Sequence, residues 1–105
     1  MEIARIQEAI RKGNVNISDH ADDELANDAI EDNDLYFSVQ HGEVIEEYAD
    51  DKPFPSCLIY GNDKNNRHIH SVWAYSQKHE IAVLITAYIP DPEKWINYKM
   101  RKPKR

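Results

Sequence analysis

The chain has 105 residues, of which 41% are apolar and 30% charged, and a formal net charge of −6. That length can bury a core in one domain without disulfides or a structural metal. The longest apolar run, Ile81 to Ile85, is too short to cross a bilayer, and a single cysteine, Cys57, excludes an internal disulfide.

The N-terminus is an acidic amphipathic segment without a signal-peptide core, so a cytoplasmic setting is expected. Cys57 reads as a small buried hydrophobe in a strand rather than a nucleophile. The charge is unevenly spread. No Lys or Arg stands between Lys12 and Lys52, while Asp19 to Asp51 holds 13 carboxylates. Residues 89–105 carry a net +4, leaving −10 on the rest. An acidic body disfavours nonspecific duplex binding, which depends on Lys and Arg neutralising phosphates. It permits a local basic patch, and a basic partner docking elsewhere.

Residues 2–12 place Ile3, Ile6 and Ile10, with Ala9, at helical spacing before Gly13, which predicts an amphipathic helix. Asn14 to Ile17 reads as a short extended link. Ser18 is a good N-cap for a second helix from Asp19 to about Ile30, with Ala21, Leu25 and Ala29 facing inward. A third, short helix is expected over Asp34 to Gln40, with Leu35 and Val39 inward. Strands follow at Glu43–Tyr48 and Ser56–Tyr60, separated by a loop in which Pro53 and Pro55 bar regular pairing. GNDKNN, Gly61 to Asn66, is a turn by composition.

The centre of the chain is RHIHSVWAYSQKHEIAVLITAY, Arg67 to Tyr88, which reads as two strands joined at Ser76–His79. In the first, Ile69, Ser71, Trp73 and Tyr75 point one way and His68, His70, Val72 and Ala74 the other. The second, Ile81–Tyr88, is apolar on both faces, as a central strand should be. Pro90 ends it. Asp91 and Pro92 then predict a short terminal helix anchored by Trp95, and RKPKR a frayed tail. The expected fold is one α+β domain, residues 1–105. Two to three N-terminal helices (2–42) pack on one face of a four-stranded antiparallel sheet (43–90), and a C-terminal segment (91–105) carries the short helix and the basic tail.

The ordered series SDHADDELANDAI, HGEVIEEY, KPFPSCLIYG, HIHSVWAY and LITAYIPDPEKW resembles the bacterial domain-of-unknown-function family 4258, over roughly Ser18 to Trp95. That family is similar to the RelE/BrnT-like toxins, small α+β domains that are often metal-independent endoribonucleases encoded beside a zinc-ribbon antitoxin. The resemblance therefore implies an RNA-cleaving, toxin-like domain with RNA as substrate and such an antitoxin as partner.

Cleaving RNA without a metal needs a base for the ribose 2′-hydroxyl, cationic stabilisation of the phosphorane and an acid for the leaving oxygen. His70 is the candidate base, because an imidazole titrates near neutrality. Arg67, or Arg101 and Lys94 from the terminal segment, could hold the phosphate. Tyr88 or His20 could serve as acid or orienter, with His68 and Thr86 beside them as substrate contacts. Trp95, Tyr48 and Tyr60 are candidate stacking surfaces for unpaired bases. His20 and Glu24, four apart on one helical face, admit readings as a metal pair, a catalytic pair or a structural pair, and the sequence alone favours the structural one. His68 and His70 could join them as zinc ligands on paper, but no pattern of supporting residues accompanies the four, and no cofactor is assigned. No phosphate-binding glycine-rich loop and no GxSxG elbow occurs. The rival reading is a non-catalytic domain of the same fold that docks a basic partner through its acidic helices.

Overall fold

The structure, a computed structural model, describes residues 2–103. Its elements are α1 (Ile3–Arg11), β1 (Val15–Ile17), α2 (Asp19–Asn27), α3 (Asp32–Gln40), β2 (Glu43–Tyr48), β3 (Ser56–Asn62), β4 (His68–Ser76), β5 (Ile81–Tyr88), β6 (Trp95–Ile96) and β7 (Met100–Arg101). The class is α+β, with three helices, but the sheet differs from the expected one. It has five strands in the order β1-β5-β4-β3-β2, and β6-β7 form a separate hairpin.

The fifth strand comes from the segment expected to be a link. Val15, Asn16 and Ile17 run parallel to β5, opposite Ala82, Val83 and Leu84, so the sheet is mixed rather than antiparallel. Three residues are too few for alternation to announce a strand. Pairing with them nevertheless satisfies backbone groups that the edge of β5 would otherwise leave open.

The helices form where their caps dictate. Ser18 Oγ accepts from the Ala21 N–H at 3.1 Å and donates to the Ile85 carbonyl at 3.2 Å, so one residue caps α2 and ties it to β5. α2 ends at Asn27, short of the expected Ile30, because Ala29 takes a left-handed φ of 52°. The inward residue after Leu25 is therefore Ile30, and Ala29 is exposed. α3 starts at Asp32, two residues early, where the Glu31 N–H donates to the Asp34 carboxylate at 3.2 Å.

Ile6, Ala21, Leu25, Leu35 and Val39 from the helices pack on Cys57, Ile59, Ile69, Trp73 and Leu84 from the sheet. The β4 alternation holds, with Ile69, Ser71 and Trp73 all buried and the Trp73 indole donating to Ser71 Oγ at 2.9 Å. Cys57 is fully buried in this core, and burial pushes its thiol up to about 11.

β5 contains a bulge that decides what the other face presents. Trp73 pairs with Leu84, but Val72 pairs with Thr86, leaving Ile85 as the extra residue. Strict alternation would put Leu84, Thr86 and Tyr88 on one face. After the bulge Ala87 enters the core at 0% exposure, and Tyr88 stands opposite His70 on the far side.

β3 needs a glycine where α3 crosses it. A Cβ on Gly61 would sit 1.9 Å from the Ser38 carbonyl oxygen, a contact no side chain survives without moving the helix. Gly61→Ala should therefore destabilise the fold by about 3 kcal/mol, at the upper end of overpacking costs. Urea unfolding measures this; a change of less than about 0.5 kcal/mol would show that α3 sits further from β3.

Candidate functional site

The face of the sheet away from the helices gathers most of the titratable and aromatic side chains named above. Tyr60, His70 and Tyr88 lie in one row across β3, β4 and β5. His68 follows two residues before His70, and Glu46 and Tyr48 extend the face onto β2. The β6-β7 hairpin lies over this row.

His70 is 0% exposed and both its nitrogens are engaged. Nε2 lies 2.6 Å from the Tyr98 carbonyl oxygen, which can only accept, so Nε2 carries the proton. Nδ1 is then the acceptor of the neutral ring and takes the Tyr88 hydroxyl at 3.3 Å. The Trp95 indole closes the pocket edge-on, 4.5 Å between centroids. Burial pushes the imidazole below its ordinary value, against the opposing pull of the Tyr98 carbonyl and the Glu46 carboxylate. Burial likewise pushes the Tyr88 phenol up, and the Glu46 and Glu24 charges add to that effect. Both groups are thus held neutral.

The hairpin that covers them replaces the expected terminal helix. Asp91 makes a single turn, with its carboxylate accepting from Glu93 N–H and its carbonyl from Lys94 N–H, both at 2.9 Å. Trp95 then drops onto His70, and the chain reverses through Asn97 and Tyr98, whose φ values are 51° and 63°. Two positive φ angles make a turn that a helix cannot contain. The Tyr98 ring stacks on His68 at 3.6 Å, and His68 Nδ1 meets the Tyr60 hydroxyl at 2.7 Å. Arg101, expected in a frayed tail, is in β7. Its Nε donates to both Glu46 oxygens and its guanidinium lies over Trp95, while Lys99 pairs with Glu43 at 3.1 Å. Burial raises the Glu46 carboxyl, but the Arg101 and Tyr48 hydrogen bonds outweigh it and hold the group below the usual carboxylate range. The rest of RKPKR is described only as far as Pro103.

His20 is placed differently. It sits on α2 with 72% of its side chain exposed and its Nε2 on Glu24 Oε1. The same oxygen accepts from Thr86 Oγ1 at 2.5 Å, so the carboxylate is held from the sheet while it orients the imidazole. Thr86 and Tyr88 are two apart on β5, so this chain begins where the His70–Tyr88 pair ends.

A family model for a domain of unknown function, DUF4258, matches residues 17–89. The chain belongs to that family. No curated protein and no solved structure matches it. The DUF4258 span contains His20, Glu24, His68, His70, Thr86 and Tyr88, whereas Trp95, Tyr98 and Arg101 of the covering hairpin follow it.

The remaining sequence-derived residues of this DUF4258 domain are dispersed. Arg67 is taken up by Asp63 at 2.8 Å, by Asp34 at 3.4 Å and by the Asp28 carbonyl at 3.3 Å, which ties the β3–β4 turn to the ends of α2 and α3. Lys94 is exposed on the hairpin. Trp95 is 6% exposed, which leaves no ring face for a base to stack on. Among the described residues no three His, Cys, Asp or Glu side chains stand together as metal ligands, so the four on paper are not assembled. Sequence reasoning missed Tyr98, which supplies both a ring and a carbonyl to the row. Asn97 was the signal available, since Asn is a common turn residue at positive φ.

The burial of neutral His70 has a pH consequence. Its folded value lies below its unfolded one, so the unfolded chain binds the extra proton in the window between them. The stability it contributes is present above about pH 6.5 and is lost as pH falls through that window. The urea midpoint should drop between about pH 7.5 and 5.5, and His70→Gln should flatten this slope; Glu46 and Asp63, both lowered, act only below about pH 4.5. A wild-type midpoint that rises on acidification would contradict a buried neutral imidazole.

Proposed function

We propose that this DUF4258 domain is a toxin-like endoribonuclease whose working base is His20 rather than His70. The observation that carries the reading is the solvent-exposed imidazole of His20, oriented by a carboxylate that Thr86 fixes from the sheet. A His Nε2 committed to a carboxylate leaves Nδ1 to take a proton from outside, as general-base chemistry on a ribose 2′-hydroxyl requires. Tyr88 is the proposed acid for the leaving oxygen, kept protonated by burial and positioned by His70. Cationic stabilisation of the phosphorane is assigned to Lys94 and Lys102 at the base of the hairpin, since Lys99 and Arg101 are committed to Glu43 and Glu46. A zinc-ribbon antitoxin as partner belongs to the same proposal.

A second reading rests on the charge map. α2 and α3 present Asp19, Asp22, Asp23, Glu31 and Asp32, all exposed, with no Lys or Arg between Lys12 and Lys52. Such a surface suits a basic protein partner more than a polyanion.

One experiment separates the two. Induction of the protein should arrest growth and leave defined RNA cuts. His20→Ala should lower single-turnover cleavage by at least about a hundredfold, and Glu24→Gln by about tenfold, with the chain still folded. Intact RNA in cells holding soluble wild-type protein, together with a salt-sensitive complex lost in Asp22→Lys/Asp23→Lys, would give the docking reading the case.

A further inference from the structure

Outside the His20 site, one cleft is lined by aromatic rings and side-chain amides. It holds about 360 Å³, within the usual size of ligand sites, and opens between the end of α3 and the end of β3. Glycine brings those two elements together. A Cβ on Gly42 would meet the Ser38 and Tyr60 carbonyl oxygens at 2.5 and 2.7 Å, so only glycine lets the chain leave α3 this close to β3. Phe37 and His41, one turn apart on α3, line the helix side with their ring centroids 4.3 Å apart. Phe37 is half-exposed and is not among the side chains packed on the core, and His41 is exposed. The half-exposed Tyr60 lines the strand side.

The polar groups narrow the ligand. The side-chain amides of Asn62 and Asn66 make no hydrogen bond among the described residues, so each keeps its donors and acceptor for a ligand edge. An apolar ligand would leave them unpaired, at a cost. The two carboxylates of the lining are already satisfied, Glu43 by Lys99 at 3.1 Å and Asp63 by Arg67 at 2.8 Å. Lys64 has no carboxylate partner among the described residues, and its Nζ stands 5.6 Å from the Phe37 centroid. Rings stack on the face of any base, amides read a base edge, and an ammonium takes a phosphate. We propose that this cleft holds an unpaired nucleotide of a single-stranded RNA, with its base against Phe37 and Tyr60 and its phosphate on Lys64. Tyr60 stands opposite His70, and His70 opposite Tyr88, so the cleft ends the row that begins at the proposed acid. Ordinary strand spacing puts about 10 Å between the two ends, which a short strand bridges. The choice of RNA rests on the cleavage reading above; the base contacts do not.

The test uses isotope-labelled full-length protein and a 2′-O-methyl adenine tetranucleotide, which has no free 2′-hydroxyl and cannot be cleaved. A strand of the same length with abasic residues keeps every phosphate and removes the bases. The expected result is saturable binding that shifts the resonances of Phe37, His41 and Tyr60. It should weaken at least about tenfold for the abasic strand and in Phe37→Ala. His41→Ala, at an exposed position, should weaken it in the same direction and keeps the test open if Phe37→Ala does not fold. Lys64→Gln should lower the salt dependence of binding. Equal binding of the abasic strand would reduce the effect to charge alone and overturn the proposal. So would absence of binding, unchanged affinity in both ring variants, or shifts confined to the hairpin. Equal affinity for adenosine monophosphate would overturn it too, by making the ligand a free nucleotide. Binding as expected, with unmodified RNA left intact by the wild-type protein, would support the cleft and overturn only the nuclease reading.

Discussion

A histidine in the middle of a central strand must find a partner for each ring nitrogen or else remain in water. His70 finds both within the chain. Tyr88 donates from β5 and the Tyr98 carbonyl accepts from above, and each hydrogen bond contributes about 1 kcal/mol in such a setting. Leaving either nitrogen unpaired at 0% exposure would cost more than the bond gains, about 1–3 kcal/mol. That asymmetry governs the rest of the open face. It requires the Ile85 bulge, which brings Tyr88 opposite His70, and it requires the hairpin, which brings the Tyr98 carbonyl. Trp95 on the ring, Tyr98 on His68 and Arg101 on Glu46 then fasten the hairpin at several points along the face.

With His70 so engaged, the three histidines of the candidate site divide by environment rather than by sequence spacing. His70 is held neutral and inaccessible, and His68 is sandwiched by hydrogen bonding to Tyr60 and stacking on Tyr98. His20 is exposed yet oriented, through Glu24 to Thr86. The same bulge serves both arrangements, because it sends Thr86 as well as Tyr88 away from the core. A single inserted residue thus couples the scaffold of the hairpin to the geometry of the proposed base.

Much of this was legible in the residues. The β4 alternation separated Ile69 and Trp73 from His68 and His70, Ser18 announced α2, and the apolar character of β5 marked it as central. What stayed hidden has physical causes. β1 is too short for periodicity and exists through its partner's backbone. The Ile85 bulge leaves no compositional trace in IAVLITAY, so nothing in the sequence shows that Leu84 and Tyr88 end on opposite faces. Asp91, Pro92 and Trp95 supply good helix signals, but burying Trp95 against His70 outweighs propensity in a segment that could form barely two turns. For the candidate site, sequence named His20, His70, Thr86 and Tyr88. It could not tell which imidazole would face solvent, since that depends on a hairpin it read as a helix.

The division between His70 as a fastening and His20 as an accessible, oriented base can be measured directly by acylating the native protein with diethyl pyrocarbonate and following each histidine by mass spectrometry. The account predicts that His20 reacts as an exposed imidazole does, while His70 reacts more than about a hundredfold more slowly, at a rate set by opening of the hairpin. Modification of His70 as fast as His20 in the folded protein would contradict it.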